Sequence, residues 1–250
     1  MSRITHSKKG LKTTKHLIAY IDILAGTKLI SEDILDENLN TVAEIYQLTK
    51  NIVETAKGNL ACSIDFKIFS DNILLTLIPK INNKQENDRS IYNFLYVVAF
   101  IQMKALERNI LLRGGLTIGD IYIDKTFAWG KGLLNAIDLE ERNAVLPRII
   151  IDDKVRMQID KLAQRNPDKI INIIKDLDGW LFVDYLGCWG AQHLNAIIDH
   201  ITFIEGELEK EKCNSNVMHK LLWQKSYCSG YLATKPKPLF VPDAGGLDDK

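Results

Sequence analysis

Two apolar runs, 61–70 and 72–79, stand almost without a gap around Ser70-Asp71-Asn72, and no other feature narrows so far what this chain can fold into. Strand-forming runs joined by so short a polar link read as an antiparallel hairpin. Stretches with helical periodicity lie on both sides of it, so the hairpin belongs to a chain that mixes strands with helices. Its tip carries a carboxylate, Asp71, at the point where strand ends converge.

Upstream, 16–25 is too continuously apolar for a half-exposed strand and reads as a buried one, ended by Gly26-Thr27. From 28 to 57 the apolar spacing predicts a long amphipathic helix or two abutting ones, interrupted near 36–38 and stopped at Gly58-Asn59. A loop is expected over 80–89 and a helix over 90–108 with a wide apolar face. The run 111–123 reads as a strand broken by Gly114, Gly115 and Gly119, residues expected at a bulge or where another backbone comes close. A helix over 133–144, a strand at 147–152, an amphipathic helix at 154–175, a short strand at 180–186 and one long or two shorter helices over 191–232 complete the order. The expectation is an α+β fold of the ferredoxin-like kind, a central, mostly antiparallel sheet covered by helices with a helical C-terminal extension. A basic leader over 1–15, a single domain over 16–232 and a mobile tail with three prolines over 233–250 divide the chain.

Composition narrows the partners. A chain of 250 residues, 46% apolar, can bury a substantial core. Lysine plus arginine equals aspartate plus glutamate, so no global basic field argues for nucleic acid. The four cysteines, Cys62, Cys188, Cys213 and Cys228, form no Cys-x-x-Cys pair, and each sits in or beside an apolar or helical run, as suits reduced thiols in a cytoplasmic protein. His193 and His200 lie seven apart, too far for the usual i, i+4 zinc pair. No apolar stretch is long enough for a membrane span, and no signal peptide is expected.

The chemistry is carried first by Asp22, set in the apolar run 17–25, and by Asp71. A lone carboxylate among branched apolar residues costs several kcal/mol to bury unless a cation or donors compensate it. Two of them on neighbouring strands would share a metal, and Mg2+ or Mn2+ prefers one or two carboxylates plus phosphate oxygens. The implied ligand is a nucleoside triphosphate. Strand-end aspartates satisfied by backbone amides are the plainer alternative. The turn at Gly26-Thr27, opening a helix, would offer free amides to phosphate oxygens.

This order of elements, with Asp22 before a glycine-containing turn and Asp71 in a hairpin, resembles the class III nucleotidyl cyclases, in which those two positions hold the metals. The likeness narrows at Tyr20-Ile21-Asp22-Ile23-Leu24, Phe69-Ser70-Asp71-Asn72-Ile73, 113–120, Leu139-Glu140 and Pro147-Arg148-Ile149, which look like the bacterial Pycsar cyclases. That resemblance covers about 16–155 and, more loosely, the rest to the final helix. It implies a pyrimidine nucleotide cyclase of an antiphage system that converts UTP or CTP to a 3',5'-cyclic nucleotide and pyrophosphate, the product activating a separately encoded effector. It also implies two metal ions per site, held by Asp22, Asp71 and the Ile23 carbonyl, and a head-to-tail homodimer whose sites lie at the subunit interface.

Purine cyclases carry an asparagine and, four residues later, an arginine on the helix after the glycine strand. Here Asn135 is followed at that distance by Leu139. Arg142, seven residues on, projects from the same face and is one candidate for the transition-state arginine, although a solvated i, i+4 pair with Asp138 is equally compatible with the spacing. Arg113 is the other. Lys67 matches a base-reading position, where an ammonium donates to a base carbonyl, or is a surface strand lysine. Trp129 would stack on a base or anchor the core. Two other readings stay open: a degenerate homologue that binds nucleotide as a sensor, and an α+β interaction domain whose aspartates are structural.

Overall fold

The computed structural model describes residues 10–24, 37–59, 63–80, 83–166, 173–210 and 214–234. The elements follow one another as β1 (Thr14–Ile23), α1 (Glu37–Asn59), β2 (Ile64–Phe69), β3 (Asn72–Leu77), α2 (Lys84–Leu106), β4 (Leu112–Ile123), β5 (Ala128–Trp129), α3 (Lys131–Asn143), β6 (Ile149–Ile151), α4 (Asp153–Arg165), β7 (Ile173–Lys175), β8 (Leu181–Val183), α5 (Tyr185–Trp189), α6 (Leu194–Lys210) and α7 (Ser215–Ala233). The sheet order is β2-β3-β1-β4-β6-β8-β7, with β5 beside β4. Every pairing is antiparallel except β4 with β6. The first four strands, with α1 and α2 as crossovers, have the ferredoxin-like βαββαβ arrangement, as expected.

Alternation along β1 divides the interior. Leu17, Ala19, Ile21 and Ile23 enter a large core with Ile52 and Val53 of α1 and Phe94 and Val98 of α2. Ile18 and Tyr20 point the other way, into a smaller cluster with Leu74, Ile121 and Ala136 of α3. Asp22 is the next residue of that second series. It therefore falls on the α3 side of the sheet, where β1 is about to end.

Helix α2 is buried on nearly every face from Ser90 to Leu106, as a central core helix must be. It begins earlier than its apolar face suggests. The Asn83 side chain accepts from the Glu86 N–H at 3.1 Å, so the polar stretch expected as a loop forms a capped first turn from Lys84. The helix expected over 154–175 also differs, because α4 stops at Arg165 and Ile173–Lys175 is an edge strand on β8. Strand β4 is continuous, not broken. Its glycines admit neighbours: a Cβ at Gly114 would stand 2.5 Å from the Tyr20 carbonyl oxygen, and one at Gly119 would stand 2.5 Å from Gly132 Cα.

The C-terminal extension is tied to the sheet through one cation. Arg148 is fully buried, pairs with Asp176 and Asp178, and lies over the rings of Phe182 and Trp223 at 5.7 and 5.6 Å. The Trp223 indole N–H donates to Asp176 at 2.7 Å, which fixes α7 across the β6–β8–β7 half of the sheet. Cys188 and Cys228 are buried; Cys62, Cys213 and the tail from 235 lie outside the described residues. Among the described residues no helix is long and apolar enough to cross a membrane.

Candidate active site

The register of the sheet brings the two aspartates to one end. Asp22 stands opposite Asn72 of β3 and Arg113 of β4. Asp71 occupies the β2–β3 turn, where Ser70 takes a positive φ of 53°. The turn is held against β1 by the Ile23 N–H, which donates to the Asp71 carbonyl at 3.0 Å. From the other side the Tyr46 hydroxyl of α1 donates to the Ser70 carbonyl at 2.5 Å. The Asn72 amide donates to the Asp71 carboxylate at 3.0 Å. Burial, and then the charges of Asp71 and Asp22, push the Tyr46 phenol up to about 12, so it stays a neutral donor beside both acids.

Arg113 is the cation the half-buried carboxylate of Asp22 requires. Its Nε donates to Asp22 Oδ2 at 2.9 Å and its Nη2 lies 2.7 Å from Glu140 Oε1 of α3. Glu140 is only 3% exposed, and burial pushes its pKa up to about 7, against the pull of Arg113 and with the push of Asp22. For Asp22 burial again outweighs Arg113, and Asp71 adds to it, so its pKa is raised as well. One guanidinium thus serves two acids and neutralises neither fully. Lys220 of α7 lies within range of the same charges: burial and then Arg113 lower its pKa, and Asp22 opposes them.

The other candidates separate. Arg142 is 76% exposed and pairs with Asp138 at 2.7 Å, which is the solvated i, i+4 pair, not a group at Asp22. Lys67 is half-buried on β2, four residues before Asp71, opposite Leu74 and on the same sheet face as Asp22. Trp129 is 73% exposed beside Tyr122, so the core-anchor alternative fails. Asn135 lies away from the aspartates, in a cavity of about 400 Å3 near the start of β1. Gly26 and Thr27 fall outside the described residues.

Sequence reasoning missed Glu140 as a site residue. The signal was present, since Gly132, Ala136, Leu139 and Glu140 follow the i, i+4, i+7, i+8 pattern of a buried helix face. It also missed Tyr46 and Lys220, which reach the site only through tertiary packing.

The donor set suits a hard divalent ion: two carboxylates and a backbone carbonyl at a strand end. Among the described residues no three or more His, Cys, Asp and Glu side chains converge on one point, so an all-protein cage is not formed there.

No protein-family model matches the chain, and no curated protein matches it. Among solved structures it is similar to the adenylyl cyclase CyaB from P. aeruginosa, at 14% identity over 69% of this chain and 92% of that one, with a TM-score of 0.45. It is similar also to the monomeric guanylyl cyclase domain of the RhoGC fusion protein from Blastocladiella emersonii, at 13% identity over 69% and 96%, TM-score 0.49. A third is the adenylate/guanylate cyclase/hydrolase from Silicibacter pomeroyi, at 17% identity over 68% and 95%, TM-score 0.43. At such identities and TM-scores the chemistry has to be read from this chain's own residues.

Proposed function

We propose that the protein is a nucleotidyl cyclase acting on UTP or CTP. The observation that supports this best is the Ile23–Asp71 backbone bond, which holds the hairpin carboxylate beside Asp22 with Arg113 already in place. In the reaction the ribose 3'-oxygen attacks the α-phosphorus, the bond from that phosphorus to the bridging β-phosphate oxygen breaks, and pyrophosphate leaves as the hydroxyl proton is lost. Two Mg2+ or Mn2+ ions held by Asp22, Asp71 and the Ile23 carbonyl would supply charge neutralisation and acidify the 3'-hydroxyl. The protein's own part is positioning. Arg113, released from Asp22, bonds phosphate oxygens while the buried Glu140 carboxylate stays beside it as an ion-pair partner. Tyr46 and Ile23 hold the hairpin tip in register.

Lys67 is assigned to the base, and Trp129 to a wall beside it. Asn135 and the aspartates lie toward opposite ends of β1 in one chain, which supports a head-to-tail homodimer in which the partner supplies α3. The pyrimidine preference, and a role in antiphage defence through a cyclic-nucleotide effector, rest on the sequence resemblance. Incubating the protein with each of the four ribonucleoside triphosphates and Mn2+, and identifying products by mass, tests the assignment. A cyclic pyrimidine nucleotide with pyrophosphate is expected; four unchanged nucleotides would refute it. One observation favours a second reading, a nucleotide-binding sensor: Arg142 is taken up by Asp138, so α3 presents no free arginine at that place. Stoichiometric binding without pyrophosphate release would select the sensor.

A further inference from the structure

We propose that the cavity at the start of β1 is a binding site for an oligophosphate group. Lys15 of β1, Lys131 of α3 and Lys154 and Lys161 of α4 all line it, against a single carboxylate, Asp120. None of the four ammonium groups makes an ion pair with a described residue. The four lysines are exposed and one carboxylate faces them, so the space keeps a net positive field that a polyanion complements.

The backbone explains how the space arises. Strand β6 pairs with β4 only at Gly114, Gly115 and Leu116, so Ile118, Gly119 and Asp120 have no strand beside them on that side. Helices α3 and α4 flank the open edge from the two faces. On α4, Lys154, Met157, Gln158 and Lys161 follow the i, i+3, i+4, i+7 spacing of one helix face, and all four line the cavity. On α3 the first turn is pressed against the strand, since a Cβ at Gly132 would stand 2.7 Å from the Gly119 carbonyl carbon. Gly130 at its N-cap gives no side-chain cap, so the free amides of that turn add donors and the positive end of the helix dipole.

A phosphate chain matches this site better than a single anion does, because the lysines come from three elements around a volume of about 400 Å3. The site is separate from Asp22 in the same chain, since Lys15 and Asp22 are seven residues apart on one extended strand, about 23 Å. The phosphates have two possible sources, the triphosphate of a nucleotide held across a dimer or a separate phosphorylated effector.

The test is calorimetric titration of the full chain with inorganic tripolyphosphate at low salt without divalent ions. Saturable binding is expected, weakened at least about tenfold in Lys154→Ala/Lys161→Ala and unchanged in Lys50→Ala/Lys57→Ala, exposed lysines of α1. Thermal melts check that each variant is folded. No saturable binding, or equal weakening in both double variants, overturns the proposal. In steady-state turnover, tripolyphosphate that raises KM alone identifies the substrate's phosphates, and a changed kcat at saturating nucleotide identifies an effector. The titration needs no turnover, so its failure leaves the cyclase reading standing, and failure of the cyclase assay leaves the titration valid.

Discussion

The two ends of β1 carry opposite chemistry. At Asp22 there are acids with too few cations: Asp22 and Glu140 share Arg113, and Asp71 waits at the hairpin tip. Around Lys15 there are cations with too few acids, four lysines facing one aspartate. Each end is electrostatically incomplete in the way the other would remedy, yet seven residues along one strand keep Lys15 and Asp22 apart. The contrast teaches that a charge imbalance locates a site better than a count of charged residues, because the chain as a whole is neutral.

The largest effects are expected at the acidic end. Asp71→Asn is expected to lower turnover at least ~100-fold with little change in melting temperature, because it removes a metal ligand at a partly exposed turn while conserving shape. Asp22→Asn should lose activity equally and leave Glu140 as the one anion paired with Arg113 among the described residues. Wild-type-like rates in either variant would remove the metal assignment.

Lys67→Glu comes next. A donor-only ammonium at the differing base edge favours uracil, so the wild type is expected to make mainly cyclic UMP from an equimolar UTP and CTP mixture. The variant should shift the product ratio toward cyclic CMP at a large cost in rate, since a carboxylate is repelled by the triphosphate. An unchanged ratio would return Lys67 to the surface.

Glu140→Gln is expected to act more mildly. Arg113 would then hold Asp22 undivided and compete better with a metal ion. The Mn2+ concentration for half-maximal activity should rise several-fold while kcat at saturating metal stays near wild type. A lower kcat with unchanged metal dependence would place Glu140 elsewhere in the mechanism.

The smallest effect separates folding from the site. Burial lowers the pKa of His200 from 6.5 to about 4, with its Nδ1 2.9 Å from the Asn109 side-chain oxygen. A depressed histidine pKa contributes stability that is present above pH 6.5 and is lost as pH falls towards 4, because the unfolded chain takes up the proton. Glu140 has the opposite sign: its raised pKa favours the fold below 4.5 and loses that contribution as pH rises through about 7. In denaturant melts His200→Gln should therefore flatten the acid limb of the stability profile and leave the neutral limb alone.

What was legible in the sequence follows a physical line. The hairpin at 61–79 and the buried strand with Asp22 were readable because apolar alternation and a short polar link act locally. Even the capped start of α2 had a local signature, Asn83 three residues before Glu86, overlooked because the following residues are polar. Of the two candidate arginines, which one stands at Asp22 was not readable. Arg113 meets Asp22 through a register between residues 91 apart, whereas Arg142 looked suitable only by its spacing on one helix. The three-residue edge strand β7 had no periodicity of its own to set it apart from the helix before it. The lysine cavity was equally invisible, being assembled from residues 15 to 161 around a strand edge that only topology leaves open.

In the proposed dimer the acidic end of one chain works with the α3 end of another. Mixing two inactive variants, Asp71→Asn and Asn135→Ala, and allowing verified subunit exchange tests it most directly. The divided site predicts that activity returns to about a quarter of wild type, since half of the dimers are mixed and each restores one of its two sites. Exchange without any recovered cyclic nucleotide would contradict it.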